Sequence, residues 1–424
     1  MKRLMVWWDG RAVGELTQDE GGELGFAYLA EWLADGAAPA VSASLPKRAE
    51  PFTRRECRPF FGGLLPEEET RRAVARALGI SAANDFAMLD RLGGEVAGAL
   101  QFLHAGETPE AAMGPWDPRP LPEDRLRALL EALPQRPLLA GEGGLRLSLA
   151  GAQTKVPVVI LEGAVALPGP NQPTTHILKP AIPRFAATTE NEAFAMRLAK
   201  AVGLEVATVE ARSLPSPPGP PRTYLLVQRY DRTWPGLGVL RRLHQEDLCQ
   251  ALGIPVERKY QTEGGPNLER CFEVVRRVTA RPAVEVLKLL DAVIFNALVG
   301  NADAHGKNFS ILYTEAGPRL APLYDLLCTV AYPELSPDFA MKIAGAGRLE
   351  RLDADSWTRF AQQAGLGFPL VRRRVQELAE AIHEKAEEAR RGLDVPGFDD
   401  MALDNLVALV KERARMGGQG IRRG

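Results

Sequence analysis

The feature that most limits the fold is a change of periodicity near residue 241. From about 141 to 240 the apolar runs are short and strand-like: 156–161 (VPVVIL), 175–179 (THILK) and 223–228 (TYLLVQ). A helical pattern over 190–202 separates the second from the third, and Pro/Gly-rich loops occupy 168–173 and 215–221. After about 242 the pattern is mainly helical. It is broken by one short hairpin, in which 309–313 and 319–324 flank a turn holding Gly317-Pro318. A β-rich segment followed by a helical one predicts an α+β chain of two lobes with a cleft between them.

Residues 1 to about 108 read as a further unit. Two apolar runs around Asp9-Gly10 predict a β-hairpin, and 67–80, with acids in its first turn and Gly79 near its end, predicts a helix. The stretch from about 106 to 122, carrying Pro109, Pro115, Pro118, Pro120 and Pro122, reads as a linker or boundary. The segments expected are therefore 1–108, a linker and helix over 109–140, a β-rich lobe over 141–240 and a helical lobe over 241–424. The 424 residues leave room for more than one core.

Charge and composition narrow the class of function. With 52 basic against 54 acidic residues, the chain is not expected to coat a polyanion. No apolar run approaches the ~20 residues of a membrane span, and MKRLMVWWDG lacks the apolar stretch of a signal peptide. Cys57, Cys249, Cys271 and Cys328 are scattered, and the five histidines show no i, i+4 pair. Neither a disulfide framework nor a zinc site is expected, and a cytoplasmic location is. The basic residues comprise 41 Arg and 11 Lys. Against that bias, a Lys in an apolar segment reads as chosen for its compact ammonium.

The sharpest chemical signal is 301–308 (NADAHGKN), between an apolar helix over 286–299 and the strand over 309–313. Asp303 and Asn308 have the Asp-to-Asn spacing of the protein-kinase catalytic loop, and Asp325 ends the next strand. Such a set suits phosphoryl transfer: Asp303 takes the proton of the incoming hydroxyl, while Asn308 and Asp325 hold Mg²⁺ against a triphosphate. The plainer alternative makes Asn301, Asp303 and Asn308 turn residues and Asp325 a helix cap. The joint pattern, with His305 and Lys307 in the same eight residues, favours the kinase reading.

Lys179 ends an apolar strand, where an ammonium is costly unless it has a partner; a nucleotide's α/β-phosphates are one candidate. Glu192 reads equally as a partner for Lys179 or as the acid of a Thr189-x-x-Glu192 capping box, and Glu190 opens the same helix. In 148–155 (SLAGAQTK) the small residues Ala150, Gly151 and Ala152 let backbone approach phosphate oxygens, and Lys155 adds charge. A polar β-turn is the alternative there. The pattern over 377–391 reads as a solvated helix face. The basic end (Lys411, Arg413, Arg415, Arg422, Arg423) reads as a frayed tail, with nucleic-acid contact the alternative.

Taken in order, 148–155, 175–180 (THILKP), 245–253 (QEDLCQALG), Lys259-Tyr260 with Gly264-Gly265-Pro266, and 301–310 (NADAHGKNFS) resemble the HipA family of serine/threonine-protein kinase toxins. Ser44-Leu45-Pro46 and 93–100 (GGEVAGAL) resemble that family's amino-terminal subdomain. The resemblance implies a two-lobed protein-kinase-like fold, with a β-rich N-lobe, a helical C-lobe and an extra N-terminal α/β subdomain. It implies use of ATP and Mg²⁺ and a small helix-turn-helix antitoxin partner, through which operator DNA is met. It also implies a protein substrate of the translation machinery, such as an aminoacyl-tRNA synthetase. By position, Asp303 matches the base, Asn308 and Asp325 the Mg²⁺ ligands, Lys179 the ATP-phosphate lysine and Ser148 an autophosphorylated serine. The nucleotide-binding set expected is Ala150, Gly151, Ala152, Lys155, Lys179, Gln228, Tyr230, His305, Lys307, Asn308 and Asp325. There are departures: Gln228 stands in the adenine-hinge segment where many relatives have an acid, and Asp325-Leu326-Leu327 lacks a glycine. Two rival functions are a non-catalytic antitoxin-binding corepressor and a small-molecule or lipid kinase.

Overall fold

The computed structural model describes residues 1–113, 116–141, 144–234 and 240–422; Pro115 and Arg423, singled out above, lie outside them. The chain forms two compact units. One comprises Met1–Pro180, Val227–Glu257 and Leu312–Thr314, the other Ala181–Leu226, Arg258–Ile311 and Glu315–Gly424.

The first unit opens with the expected hairpin. Strands β1 (Lys2–Trp8) and β2 (Arg11–Gln18) pair antiparallel with Trp8 opposite Arg11. The two loop residues, Asp9 (φ 49°) and Gly10 (φ 76°), take the left-handed pair that a tight hairpin turn requires. With β3 (Leu24–Tyr28) and β4 (Leu100–Leu103) they form a sheet of order β3-β2-β1-β4. Alternation buries one face of it (Leu4, Val6, Val13, Leu16, Phe26) together with Phe60 and Phe61 of helix α1 (Arg54–Gly63) and Met88 and Leu89 of a helix over Asp85–Leu92. Between those helices the predicted helix forms as α2 (Glu68–Leu78), closed by Gly79 at φ 66°.

The same unit holds the antiparallel run β5 (Arg119–Pro120), β7 (Ala164–Leu167), β6 (Val156–Leu161) and β8 (His176–Pro180). The proline-rich stretch is thus more than a linker. It carries a short helix, Pro109–Met113, and places Pro120 opposite Ala166 on an outermost strand, where a missing N–H costs no ladder bond.

A buried ionic cluster lies in this unit. Glu95, fully buried, accepts from Arg229 Nη1, Arg232 Nη2 and Arg242 Nε, each at 2.8 Å. Asp231 accepts from Arg229 and from the Gly98 N–H at 2.7 Å, and pairs with Arg232 at 3.0 Å. Burial alone would raise the Glu95 pKa, but Arg232, Arg242 and Arg229 bring it down to about 2. The guanidiniums likewise hold Asp231 far below the usual carboxylate range in spite of its burial. The backbone of Glu95 is engaged too: its N–H donates to Arg146 O at 2.9 Å, and the Ser148 N–H donates to Glu95 O at 2.8 Å.

The second unit is mainly helical: α3 (Thr188–Ala201), α4 (Leu268–Val278), α5 (Pro282–Val299), α6 (Phe368–Arg391) and α7 (Asp400–Gly420). Helix α6 buries Val371, Val375, Leu378, Ile382 and Ala386 and keeps its charges outward, as its pattern predicts. Lys411, Arg413 and Arg415 are not in a frayed tail but in helix α7, with Arg422 following it; Arg413 is 6% exposed, donating to Ala297 O at 3.1 Å near the C-terminal end of α5, where the helix dipole favours a cation. The strand Ser310–Thr314 is followed by a second strand, Gly317–Leu320, so Gly317-Pro318 is not the turn; Glu315 and Ala316 are. A Cβ at Gly317 would lie 2.7 Å from Ala280 Cβ, and Pro318 O accepts the Ala280 N–H at 2.7 Å. The close backbone approach of residue 280 puts the glycine in the strand.

Candidate active site

Helix α5 is predominantly apolar and ends at Gly300, whose φ of 85° turns the chain sharply. A Cβ there would lie 2.5 Å from Val330 Cγ2 and 2.7 Å from Arg413 Nε, so glycine is required twice over. Residues 301–308 leave this turn with their backbone tied down. The Ala302 N–H donates to Thr329 Oγ1 at 2.8 Å, Ala302 O accepts from the Ala340 N–H at 2.7 Å, and the Asn301 amide donates to Asn296 Oδ1 at 2.8 Å.

On this frame Asp303 is exposed, and its Oδ1 accepts the Tyr260 hydroxyl at 2.9 Å. Asn308 ends a 3-10 turn (Gly306–Asn308), with Oδ1 accepting the His305 N–H at 3.3 Å and Nδ2 donating to Asp325 Oδ2 at 3.0 Å. Asp325 has φ 58°, a left-handed conformation uncommon outside glycine and concentrated at functional sites. No helix starts at Asp325, so it is not a helix cap. His305 and Lys307 are buried. The Tyr324 hydroxyl donates to Lys307 O at 2.7 Å and pairs with Ser310 Oγ at 2.7 Å, fixing the far side of the loop.

Asn308 and Asp325 meet through the Asn308 amide nitrogen, and between them the two side chains carry hard oxygens of the kind Mg²⁺ takes. Among the described residues no cluster of three His, Cys, Asp or Glu could hold a metal by itself. Two protein ligands fit a cation that completes its shell with phosphate oxygens and water.

Helix α3 corrects one expectation. It begins at Thr188, with Ala187 (φ 52°) at the N-cap position and Thr188 Oγ1 accepting the Ile182 N–H at 2.8 Å. Thr189 is therefore inside the first turn, its Oγ1 buried without a hydrogen-bond partner, and the Thr189–Glu192 capping box does not form. The helix has another use. The Asn191 carboxamide accepts from the Cys328 N–H at 2.7 Å and donates to Cys328 O at 3.0 Å, clamping the segment that follows Asp325.

The remaining predicted residues lie in the first unit. Lys179 is on β8 and 6% exposed. Ser148 is fully buried, its Oγ donating to Leu64 O at 2.8 Å. The loop after it is pinned to the start of α2: the Glu67 N–H donates to Gly151 O at 3.2 Å, and Thr70 Oγ1 donates to Ala152 O at 2.7 Å. Gly151 has φ 110°, and a Cβ there would lie 2.6 Å from Lys155 Nζ, so the lysine folds back over a bare backbone, the arrangement a phosphate cradle needs. Gln228 is exposed, and the Tyr230 hydroxyl donates to Gln245 Oε1. Their neighbours Arg229 and Asp231 belong to the buried cluster around Glu95. The sequence reading missed that cluster, although opposite charges alternating along residues 229–232 were its visible trace. It also gave no role to Asn191 or Thr329, single polar residues in otherwise ordinary segments.

Residues 147–390 match the HipA-like C-terminal domain family, and residues 4–103 match the HipA N-terminal domain family. A Sinorhizobium fredii protein named "Putative kinase Y4mE" is 58% identical over 416 residues, covering 97% of this chain and 98% of that one. The serine/threonine-protein kinase toxin HipA of Shewanella oneidensis is 30% identical over 398 residues, covering 87% of each. Among solved structures, HipA in the Shewanella oneidensis complex with HipB and operator DNA superposes with a TM-score of 0.85 at 26% identity, over 97% of this chain and 96% of that one.

Proposed function

Because the chain belongs to the HipA family of kinases, with its two-lobed α+β fold, we propose that it transfers the γ-phosphoryl group of ATP to a serine or threonine hydroxyl of a protein. The observation that carries this reading is the loop itself: exposed Asp303 and Asn308 sit on one short, anchored turn, and Asn308 meets Asp325 from beyond the following hairpin. Asp303 accepts the proton of the incoming hydroxyl, within direct hydrogen-bond reach. Asn308 and Asp325 hold Mg²⁺, which when bound neutralises charge on the phosphate oxygens. Lys179 and Lys155 supply positive charge for the phosphates, and the bare backbone of 150–152 beside Lys155 lets them approach. Gln228 and Tyr230 lie on the segment that receives the base, and His305 and Lys307 shape the loop from within.

The Shewanella relative is solved with HipB and operator DNA, which supports a small DNA-binding antitoxin as the partner here, and operator contact mainly through it. With 52 basic and 54 acidic residues, this chain is poorly suited to hold DNA alone. For the acceptor we carry the family expectation, a protein of the translation machinery such as an aminoacyl-tRNA synthetase. No helix among the described residues is long and apolar enough to cross a membrane.

The test is γ-labelled ATP with Mg²⁺ and cell lysate, comparing the native chain with Asp303→Asn. Label on protein serine or threonine, lost in the variant, is expected. Label confined to a metabolite or lipid identifies a small-molecule kinase instead. Antitoxin and operator binding without any ATP binding identifies a corepressor.

A further inference from the structure

The reading of Asp303 as the base leaves one contact unused. An exposed aspartate on a turn rotates freely between side-chain rotamers, whereas a base must keep one oxygen on the acceptor hydroxyl. Asp303 is exposed, and its Oδ1 is occupied by the Tyr260 hydroxyl at 2.9 Å. The Tyr260 bond restricts rotation of the carboxylate.

The loop that presents Tyr260 is as firmly built as the one it serves. Tyr260 O accepts the N–H groups of Glu263 at 3.0 Å and Gly265 at 2.9 Å. A Cβ at Gly265 would lie 2.4 Å from Arg258 O and 2.6 Å from Tyr260 O, so the turn closes only on glycine. The Gln261 N–H donates to Ala340 O at 3.1 Å, and the Ala340 N–H donates to Ala302 O at 2.7 Å. A single residue therefore ties the tyrosine loop and the aspartate loop together through the main chain. The ring is packed as well, meeting the His305 ring edge-on at 5.4 Å with Lys259 Nζ 5.3 Å from its centroid.

We propose that Tyr260 is a positioning residue for the kinase reaction, its hydroxyl bond to Oδ1 fixing the orientation in which the Asp303 carboxylate meets the acceptor hydroxyl. This rests on Asp303 being the base. A swinging gate that blocks the acceptor is the competing role for a group in this place. It would need a loop free to leave, and this one is closed on the Tyr260 carbonyl and tied to Ala340 through Gln261.

Tyr260→Phe removes the hydroxyl and keeps the ring. The measurement is total turnover of γ-labelled ATP, with label counted in this chain, in added casein and in inorganic phosphate, so that every acceptor is included. The expected result is a kcat lower by about tenfold with half-saturating ATP within about twofold of native, since orientation of the base is lost and nucleotide binding is not. Thermal unfolding stays unchanged. An unchanged kcat, a loss found only in half-saturating ATP, or a raised kcat overturns the proposal; the last identifies a gate. Asp303→Asn is run beside it. If that variant keeps native turnover, or the native chain has none, the base assignment itself has failed, an outcome distinct from failure of the Tyr260 inference.

Discussion

Asn308 and Asp325, 17 residues apart, meet side chain to side chain, with Nδ2 3.0 Å from Oδ2. One comes from a 3-10 turn and the other from a left-handed backbone position.

That relationship predicts a specific metal phenotype. Asp325→Asn keeps the shape and loses the anionic oxygen, so ATP turnover should fall by at least ~10²-fold while the fold persists, as expected for loss of an electrostatic clamp on transferring phosphate. Asn308→Ala should raise the Mg²⁺ concentration needed for half-maximal nucleotide binding, read by calorimetric titration of a non-hydrolysable ATP analogue. Native-like Mg²⁺ dependence in both variants would sink the metal assignment.

Ser148 has its Oγ on Leu64 O at 2.8 Å and is fully buried. A phosphate adds roughly −1.5 to −2 charge and cannot be buried there. Phosphorylation therefore requires residues 146–149 to leave Glu95 and Leu64. Intact mass after ATP incubation should show one added phosphate in the native chain and none in Ser148→Ala, which keeps catalysis. The phosphorylated chain should also be cut faster by protease in this loop. A phosphorylated peak that persists in Ser148→Ala points to another residue.

Glu246 is buried, accepting Ser42 Oγ at 2.5 Å, Tyr313 OH at 2.5 Å and the Ala43 N–H at 3.0 Å. Burial pushes its pKa up to about 7 from an ordinary 4.5, against the pull of those hydrogen bonds, with Asp247 adding to the rise. Between these values the folded chain binds more protons than the unfolded one. Stability should accordingly decline as pH rises from about 4.5 to about 7 and then level off, by about 3 kcal/mol from this group across that window. Urea unfolding of the native chain and Glu246→Gln at pH 5 and pH 8 isolates it. The difference between the two should move in favour of the variant at pH 8; a pH-independent difference would remove Glu246 as the titrating group.

The local features were legible because their signals are local. Asp9-Gly10 between apolar runs could hardly be other than a hairpin, and the polar spacing of 301–308 after an apolar helix announced the site loop. The misreadings have one shape. Thr189-x-x-Glu192 has the pattern of a cap, but Ala187 and the Thr188–Ile182 bond start the helix earlier. Gly317-Pro318 has the pattern of a turn, but the approach of Ala280 places it in a strand. Lys411 to Arg422 has the composition of a tail, yet Arg413 is buried by α5. In the last two cases a contact from elsewhere in the chain overrode a local preference of about 1 kcal/mol or less; in the first a competing local start did.

The order of strands and helices, the hairpin and the spacing of Asp303 and Asn308 were set by the sequence alone, since they depend on bonds and side-chain periods spanning a few residues. Only the tertiary structure brought Tyr260 to Asp303 across 43 residues and Arg229 to Glu95 across 134. Such pairings are chosen by packing and by the need of buried charge for a partner, and neither leaves a mark at a fixed distance along the chain.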